Sequence, residues 1–317
     1  HTAIAKNRWD DCISKSLNRR IYAFSWYLDL VCPDWDALVE DDYTSVFPLA
    51  QKRKWAINYL YQPYFAQQLG IFSVNVLAEN HVNEFIKAIP PKFKFVEIHL
   101  NSMNNFKIAM GEASGRVNHE MDIVPSYEIL AGRYAQNTRR NIRKAQESGI
   151  QLGRMSGVDE LIALFRENFG KKEGKLQVQH YEILLKIILH CQQNNHGYIL
   201  GAWAKTGILS AAAFFLFDQS RVYFLFAASS PEARENGAMF LLIDRFIAEN
   251  AGKGLMLDFE GGNNPDLGRF YKSFGAVEVP FPAIRINRLP KMTRMGFYFA
   301  RKLRELGKTA TFVRVLQ

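Results

Sequence analysis

The chain has 317 residues, of which 48% are hydrophobic, and it carries a formal charge of +9 with a pI near 9.4. Its length and apolar fraction exclude a disordered protein and allow two hydrophobic cores of ordinary size. The positive charge favours an anionic partner, which could be a phosphorylated cofactor, a nucleic acid or an acidic membrane surface.

Cysteine and histidine usage makes a metal site or a disulfide framework unexpected. Cys12, Cys32 and Cys191 are widely spaced, and none belongs to a zinc-binding Cys/His pattern. The sequence has no apolar run long enough to span a bilayer and no recognisable signal peptide. We therefore expect a soluble, cytoplasmic, reduced protein.

Residues 1–125 are predicted to form a first α/β domain. Aromatic and β-branched residues predict a strand over Tyr22–Leu28 and a strand pair joined by a basic turn at Gln51–Lys54. The paired strands are Ser45–Leu49 and Trp55–Tyr61. A helix that ends near Ile89 and a strand over 93–100 follow, so strands, a helix and a strand occur in the same order as in the second half.

A basic helix is predicted over Tyr134–Gly149, with Ile142 and Ala145 on its apolar face and Gly149 as its terminator. Four cations lie in its middle: Arg139, Arg140, Arg143 and Lys144. This pattern is typical of a solvated helix face. It is equally compatible with a surface that contacts the phosphates of a cofactor or of RNA.

The second half, residues 126–290, is predicted to contain helices over Val158–Phe169 and Tyr181–Cys191, followed by a three-stranded meander over residues 197–228. A helix over about 236–250 and a strand over Leu255–Phe259 complete a βαβ unit, and a ligand crevice is expected at its strand ends. The unit lacks a G-x-G-x-x-G sequence. We therefore predict a mixed, mostly antiparallel sheet and not a dinucleotide-binding fold.

Two acidic residues near the end of this unit are candidate catalytic groups. Asp258 and Glu260 lie two apart in the predicted strand, so their side chains are expected on one face, where either could accept a proton from an amine. A carboxylate before Gly261-Gly262 could instead cap the turn into a helix, with Asn264 as N-cap and Pro265 as first residue.

The order of elements over about residues 126–290 resembles the GCN5-related N-acyltransferase (GNAT) superfamily. In that family a Gln/Arg-x-x-Gly-x-Gly/Ala turn binds the pyrophosphate of acyl-coenzyme A, and Arg234-Glu-Asn-Gly237-Ala238-Met239 is similar to it. Met239 stands where the family has a small residue. The resemblance implies that coenzyme A contacts Ala228, Ser229, Arg234, Asn236, Gly237 and Ala238.

The segment Arg269–Ala276 resembles a further GNAT motif, in which a tyrosine protonates the departing thiolate. By this resemblance Tyr271 is the candidate general acid. A half-buried tyrosine that packs beside Phe270 and Phe274 is the structural alternative.

The whole chain resembles the FemAB branch of the superfamily, whose members carry tandem acyltransferase-like domains. This resemblance rests on the segment Thr138–Ala145 and on the Gly-Gly-Asn sequence at 261–263. Some members transfer amino acids from aminoacyl-tRNA. The resemblance implies domains over 1–125 and 126–290. The residue pattern after Pro290 predicts a basic helix and tail over 291–317, of which residues 291–308 are expected to pack on the fold or to contact an acidic membrane surface.

These patterns together predict an acyl or aminoacyl transferase that moves an acyl group from acyl-CoA or aminoacyl-tRNA to an amine. No cofactor is expected to bind tightly, and no covalent nucleophile is evident. The alternative is a non-catalytic module that binds RNA or a phosphorylated ligand through the crevice and the basic helix.

Overall fold

A computed structural model describes residues 4–107, 111–170 and 176–290, and the predicted tail over 291–317 lies outside them. The helices are α1 (Lys6–Lys15), α2 (Ser25–Val31), α3 (Glu79–Ala88), α4 (Tyr127–Gly132), α5 (Gln136–Glu147), α6 (Asp159–Phe165), α7 (Val178–Gln193), α8 (Pro231–Asn236), α9 (Ala238–Asn250) and α10 (Pro265–Lys272). A 3₁₀ turn covers Ile21–Ala23 and a π-helical turn covers Arg166–Gly170.

The strands are β1 (Asp36–Glu40), β2 (Ser45–Leu49), β3 (Gln51–Lys54), β4 (Ile57–Leu60), β5 (Phe72–Ser73), β6 (Phe93–His99), β7 (Glu112–Asp122), β8 (Gln151–Met155), β9 (Gly197–Trp203), β10 (Leu209–Asp218), β11 (Arg221–Ser229), β12 (Met256–Asp258) and β13 (Val277–Asn287). Ten of them form one sheet in the order β3-β4-β6-β13-β7-β12-β11-β10-β9-β8. A small sheet has the order β1-β2-β5.

Neighbouring strands of the large sheet are antiparallel except for β4–β6 and β11–β12. Each parallel pair is joined through helices: α3 connects β4 to β6, and α8 with α9 connects β11 to β12. The predicted α/β fold with a mixed, mostly antiparallel sheet is confirmed. Because β13 lies between β6 and β7, the sheet is continuous across the two halves, and a domain boundary near residue 125 stays a prediction.

Helices cover both faces of the large sheet. Helices α1, α2, α6 and α7 contribute to one apolar core, and α4, α5, α9 and α10 contribute to another. Helix α5 belongs to the second core because Thr138, Ile142 and Ala145 recur every three or four residues and are buried. Its predicted termination is confirmed, since Gly149 has a φ of 71°.

The strand predicted over Tyr22–Leu28 is wrong. This segment is a 3₁₀ turn followed by α2, and the Asp10 carboxylate accepts hydrogen bonds from the Ser25 amide (2.7 Å) and hydroxyl (2.6 Å) at the start of that helix. A cap supplied from α1 gives the helix end a partner that local sequence patterns do not reveal.

The basic turn predicted at Gln51–Lys54 is also wrong. These residues form the edge strand β3, which pairs with β4, and the turn is Trp55-Ala56, with φ values of 49° and 62°. Strand β2 pairs with β1 and β5 in the small sheet instead. The three cations of β3 are exposed, as is common on the edge strands of natural sheets.

Candidate active site

The strands β11 and β12 separate in the middle of the large sheet. They pair only from Arg221–Met256 to Tyr223–Asp258, where β12 ends. Strand β11 continues to Ser229, and within the described residues its edge beyond Tyr223 pairs with no strand on that side. A register irregularity in the pairing of β11 with β10 falls opposite this segment. The result is a gap with free backbone groups at the carboxyl end of the parallel pair.

Asp258 lies at the inner end of this gap and is 1% exposed. One carboxylate oxygen accepts hydrogen bonds from Asn118 Nδ2 (2.7 Å) and the Glu260 amide (3.0 Å), and the other pairs with Arg221 Nη1 (2.9 Å). Arg221 Nη1 also lies 2.8 Å from Glu120 Oε1. Burial raises the pKa of Asp258, whereas the charge of Arg221 opposes this rise. Both carboxylate oxygens of Asp258 are therefore already paired with other residues of the protein.

Glu260 is not part of the strand, so the predicted alternation with Asp258 does not apply. It has a φ of 57°, two residues after the end of β12. Its Oε1 atom is buried and accepts no hydrogen bond from any described residue. Burial raises the pKa of Glu260 to about 8, and the charge of Arg20 opposes this rise. Glu260 thus has a free acceptor atom and titrates close to neutral pH.

Tyr271 projects from α10 into the same region and is 6% exposed. Its ring stacks on Phe259 at 4.5 Å and contacts the Phe224 ring edge-on at 6.5 Å, so it spans the two sides of the gap. A methyl group on Gly261 would lie 3.7 Å from its hydroxyl oxygen. Burial, followed by the charge of Glu260, raises the pKa of Tyr271, so the phenol keeps its proton at neutral pH.

His119 fixes the loop that carries Glu260. Its Nδ1 atom lies 3.1 Å from the Gly261 carbonyl oxygen, and its ring centroid is 5.9 Å from that of Tyr271. A Cβ atom on Gly262, which has a φ of 146°, would lie 2.1 Å from His119 Nδ1. Gly262 is therefore needed both for its backbone conformation and for close packing on β7.

The turn predicted to bind phosphates lies at the far end of β11. Ala228 and Ser229 close that strand, and Arg234 and Asn236 belong to α8. Gly237 has a φ of 78°, and a Cβ atom there would lie 2.4 Å from the Asn141 carbonyl oxygen of α5. The helix predicted over about 236–250 begins at Ala238, directly after Gly237, where packing against α5 requires glycine.

Two amide groups of this turn already have acceptors within it. The Gly237 amide donates to the Ala233 carbonyl (3.1 Å), and the Ala238 amide donates to Asn236 Oδ1 (2.9 Å). Met239 is partly buried and packs against the core formed by α9. The large side chain at this position is therefore explained by packing.

Residues 132–273 match the family model described as an acetyltransferase (GNAT) domain. This segment is similar to a GNAT domain. The resemblance predicted from the sequence is confirmed for the part of the chain that contains the gap, the Gly237 turn and Tyr271. No curated protein matches the chain.

Solved structures share the fold over nearly the whole chain. FemX matches with a TM-score of 0.62 and 14% identity over 93% of this chain and 98% of its own. L-PGS from Bacillus licheniformis has a TM-score of 0.56, 10% identity and coverages of 94% and 95%. The C-terminal domain of a protein named as a lysylphosphatidylglycerol synthetase, from Agrobacterium fabrum, has values of 0.52, 10%, 94% and 96%. The segment that matches the GNAT model is thus part of a fold shared with FemX.

The four predicted phosphate-contacting cations lie on α5 of the GNAT domain and are all exposed: Arg139, Arg140, Arg143 and Lys144. None of them forms an ion pair with a described residue. With 3.6 residues per turn, Lys144 and Arg140 lie about 60° and 100° around the helix from Asn141, whereas Arg139 and Arg143 lie about 160° away. Only the first two flank the Gly237 turn.

Three residues that contribute polar groups near Asp258 were not predicted from the sequence. Asn118 and Glu120 come from β7, and Arg20 Nη2 reaches to 3.7 Å from Glu120 Oε1. All three lie outside the segment that matches the GNAT model. The available signal was the polar sequence Asn118-His119-Glu120 directly before the buried residues Met121 and Ile123, because polar residues inside a central strand need partners.

No helix among the described residues is long and apolar enough to cross a membrane. Within the same residues, no group of three or more His, Cys, Asp or Glu side chains is arranged to hold a metal ion. The gap contains carboxylates, a phenol, a guanidinium group and backbone amides, supplied by Asp258, Glu260, Tyr271, Arg221 and the strand edge of β11.

Proposed function

We propose that the protein transfers an acyl or aminoacyl group from a thioester or ester donor to an amine. The observation that carries this proposal is the position of Glu260 and Tyr271 beside the gap between β11 and β12. One offers a free carboxylate oxygen with a pKa of about 8, and the other offers a phenol that stays protonated at neutral pH. Burial raises both pKa values, so the carboxylate becomes a base suited to neutral pH while the phenol remains an acid.

In the proposed reaction the acceptor ammonium gives one proton to the Glu260 carboxylate. The free amine then attacks the acyl carbonyl, whose oxygen is polarised by a backbone amide of β11 beyond Tyr223. The C–N bond forms and the C–S or C–O bond of the donor breaks. Tyr271 gives its proton to the leaving group and regains one from the attacking nitrogen, so the products are an amide, a thiol or alcohol, and one released proton.

Asp258 acts in this scheme as a positioning residue and not as the base. Both of its oxygens already accept from or pair with residues of the fold, including the Glu260 amide. It therefore holds the loop that presents Glu260, while Glu260 itself exchanges the proton.

We further propose that the phosphates of the donor lie between the Gly237 turn and the Arg140–Lys144 side of α5. Two turn amides are already bonded inside the turn, so recognition depends on the cations of α5. Both acyl-CoA and aminoacyl-tRNA carry such phosphates. The name lysylphosphatidylglycerol synthetase, given to a protein that shares the fold, describes formation of an aminoacyl compound and supports testing aminoacyl donors first.

The first experiment measures transfer from acetyl-CoA, longer acyl-CoAs and aminoacyl-tRNA to a panel of amines. We expect turnover with one donor class, a rate that rises with pH through about 8, and loss of this rise in Glu260→Gln. Tyr271→Phe should lower kcat by about 100-fold or more. Tyr59→Phe, on β4, removes a hydroxyl far from the gap and is the matched control. If no donor binds and Tyr271→Phe changes no turnover, the proposal is wrong.

The second experiment tests the donor surface by charge reversal. Arg140→Glu/Lys144→Glu should weaken donor binding at least tenfold and reduce its salt dependence, whereas Arg139→Glu/Arg143→Glu should have a smaller effect. Equal effects of the two double variants would contradict the placement beside Gly237. Binding of uncharged RNA by both sides of α5, without any turnover, would favour the non-catalytic RNA-binding alternative.

A further inference from the structure

A buried polar cluster lies on the sheet face next to the gap, and its members Arg20 and Glu120 have no role yet in the proposed reaction. In the register of the sheet, Glu120 of β7 lies opposite Asp258 of β12, which in turn lies opposite Tyr223 of β11. Asn118 is two residues from Glu120 and shares its face. The N-terminal half covers this row, since Gln67 Nε2 donates to Asn118 Oδ1 (3.2 Å). The cluster is thus built by both halves of the chain.

Arg20 is the cation of this cluster that is least well paired. Arg221 lies within 2.9 Å of both Asp258 and Glu120, so these two acids share it. Arg20 is 5% exposed, and its nearest acid, Glu120, is 3.7 Å away. Its Nη1 donates to the Arg19 carbonyl (3.0 Å) and its Nη2 to the Ser102 hydroxyl (3.2 Å).

Arg20 Nε, the hydroxyl of Tyr22 and Glu260 Oε1 are among the buried polar atoms of this region that have no hydrogen-bond partner among the described residues. Glu120 Oε1 and His119 Nε2 also lack one, although Glu120 Oε1 is ion-paired with Arg221 Nη1 at 2.8 Å. Tyr22 is 1% exposed, and its ring centroid lies 5.2 Å from that of Tyr223. Buried polar groups almost always have partners in folded proteins. Arg20 Nε, the Tyr22 hydroxyl and Glu260 Oε1 can therefore pair with polar groups of a ligand at the place where both halves meet.

We propose that this cluster binds the acceptor and that the acceptor is an aminocarboxylate, an inference that rests on the proposed transfer reaction. Its carboxylate accepts from Arg20 Nε and the Tyr22 hydroxyl, and its ammonium lies at Glu260 Oε1. Transfer then proceeds on the amine as described above, and the product amide keeps its carboxylate on Arg20.

The pairing of buried groups favours an aminocarboxylate over simpler ligands. Arg20 and Arg221 balance Glu120 and Asp258, and the Glu260 carboxylate adds one negative charge, so a ligand with a large negative charge would be repelled. A phosphate dianion would add two negative charges beside three acids. A simple amine would pair with Glu260 but leave Arg20 Nε without an acceptor. A zwitterion satisfies both ends and adds no net charge.

The test is calorimetric titration of the full chain, without donor, with glycine, β-alanine, γ-aminobutyrate and lysine. Each is compared with its carboxamide, which lacks the negative charge, and with its N-acetyl form, in lysine's case acetylated on both amines, which lacks a basic amine. We expect measurable binding, below 10 mM, only for ligands that carry both groups. The length of the preferred ligand reports the spacing between Arg20 Nε and Glu260 Oε1.

Arg20→Lys keeps the charge but removes the Nε donor, and it should weaken aminocarboxylate binding at least tenfold while leaving carboxamide binding unchanged. Arg19→Lys is the matched control, because Arg19 is the neighbouring residue and pairs with Asp218 outside the cluster. Circular dichroism of both variants verifies that they are folded. Unchanged binding in Arg20→Lys, equal binding of carboxamides, or no binding by any aminocarboxylate overturns the proposal.

These outcomes are separate from those of the transfer reaction. If aminocarboxylates bind through Arg20 but no donor supports turnover, the transferase proposal fails and the binding site stands. If transfer occurs equally to amines with and without a carboxylate, the transferase proposal stands and the aminocarboxylate site is wrong. Tyr271→Phe should bind aminocarboxylates normally in either case.

Discussion

Replacement of Glu260 by glutamine should stabilise the fold, and the gain should grow with pH. The pKa of Glu260 is raised from about 4.5 to about 8 because its carboxyl is buried. Below pH 4.5 the group is protonated in both the folded and unfolded states, and burial then costs no charge. As the pH rises, the unfolded chain loses this proton first, so the folded state loses stability until the pH passes about 8.

The magnitude follows from the width of this interval. Each pH unit within it costs the folded state about 1.4 kcal/mol. The full interval of about 3.5 pH units therefore amounts to about 5 kcal/mol as an upper bound. Solvent reaches part of the Glu260 residue, so about 2–4 kcal/mol is the expected difference between Glu260→Gln and the parent protein at pH 9.

Urea unfolding at pH 5, 7 and 9 measures this difference directly and does not depend on activity. The contribution of other titrating groups largely cancels because the two proteins differ at one position. Glu84→Gln, an exposed position on α3, is the matched control and should show a constant difference near zero. A stability difference for Glu260→Gln that is the same at pH 5 and pH 9 would refute a buried, unpaired carboxyl at this position.

Two further substitutions test the packing on either side of the gap. Gly237→Ala should destabilise the protein by about 2–5 kcal/mol, since it combines a left-handed backbone with a clash at the Asn141 carbonyl. Gly207→Ala, with a φ of 81° and no neighbour within 4 Å, isolates the backbone effect and should cost about 1 kcal/mol; equal losses would contradict the clash. Arg221→Met should cost about 3–5 kcal/mol by leaving Asp258 unpaired, and adding Asp258→Leu should recover part of this loss in thermal unfolding.

Elements whose stability is local were predictable from the sequence. Helix α5 follows from the spacing of Ile142 and Ala145 and from the terminating Gly149, and the meander β9–β11 follows from apolar strands separated by short polar turns. Helix α2 could not be predicted from its local sequence pattern. Its first amide is capped by Asp10, fifteen residues earlier in the chain, and aromatic residues such as Tyr27 favour strands as readily as helices.

The candidate site divides in the same way. Asp258 and Tyr271 lie in short sequence motifs that can be recognised locally, whereas the residues that surround them come from distant segments of the chain. Asn118, which bonds Asp258, is 140 residues away from it, and Arg20 is further still. Chain separations of this size have no periodic signature. The polar residues Asn118 and Glu120 in β7 were the one local sequence signal of a hydrogen-bonded network in the centre of the sheet.

The backbone of Glu260 shows why this network and the proposed chemistry belong together. A φ of 57° is unfavourable for a residue with a side chain, and it persists only where surrounding contacts enforce it. Here the Glu260 amide donates to Asp258 (3.0 Å) and the following Gly261 amide donates to Asn118 Oδ1 (3.1 Å). Asp258 is in turn held by Arg221. The ion pairs beneath the gap therefore determine where β12 ends and where the Glu260 carboxyl lies. The strained backbone of Glu260 and the buried charges together position the proposed base.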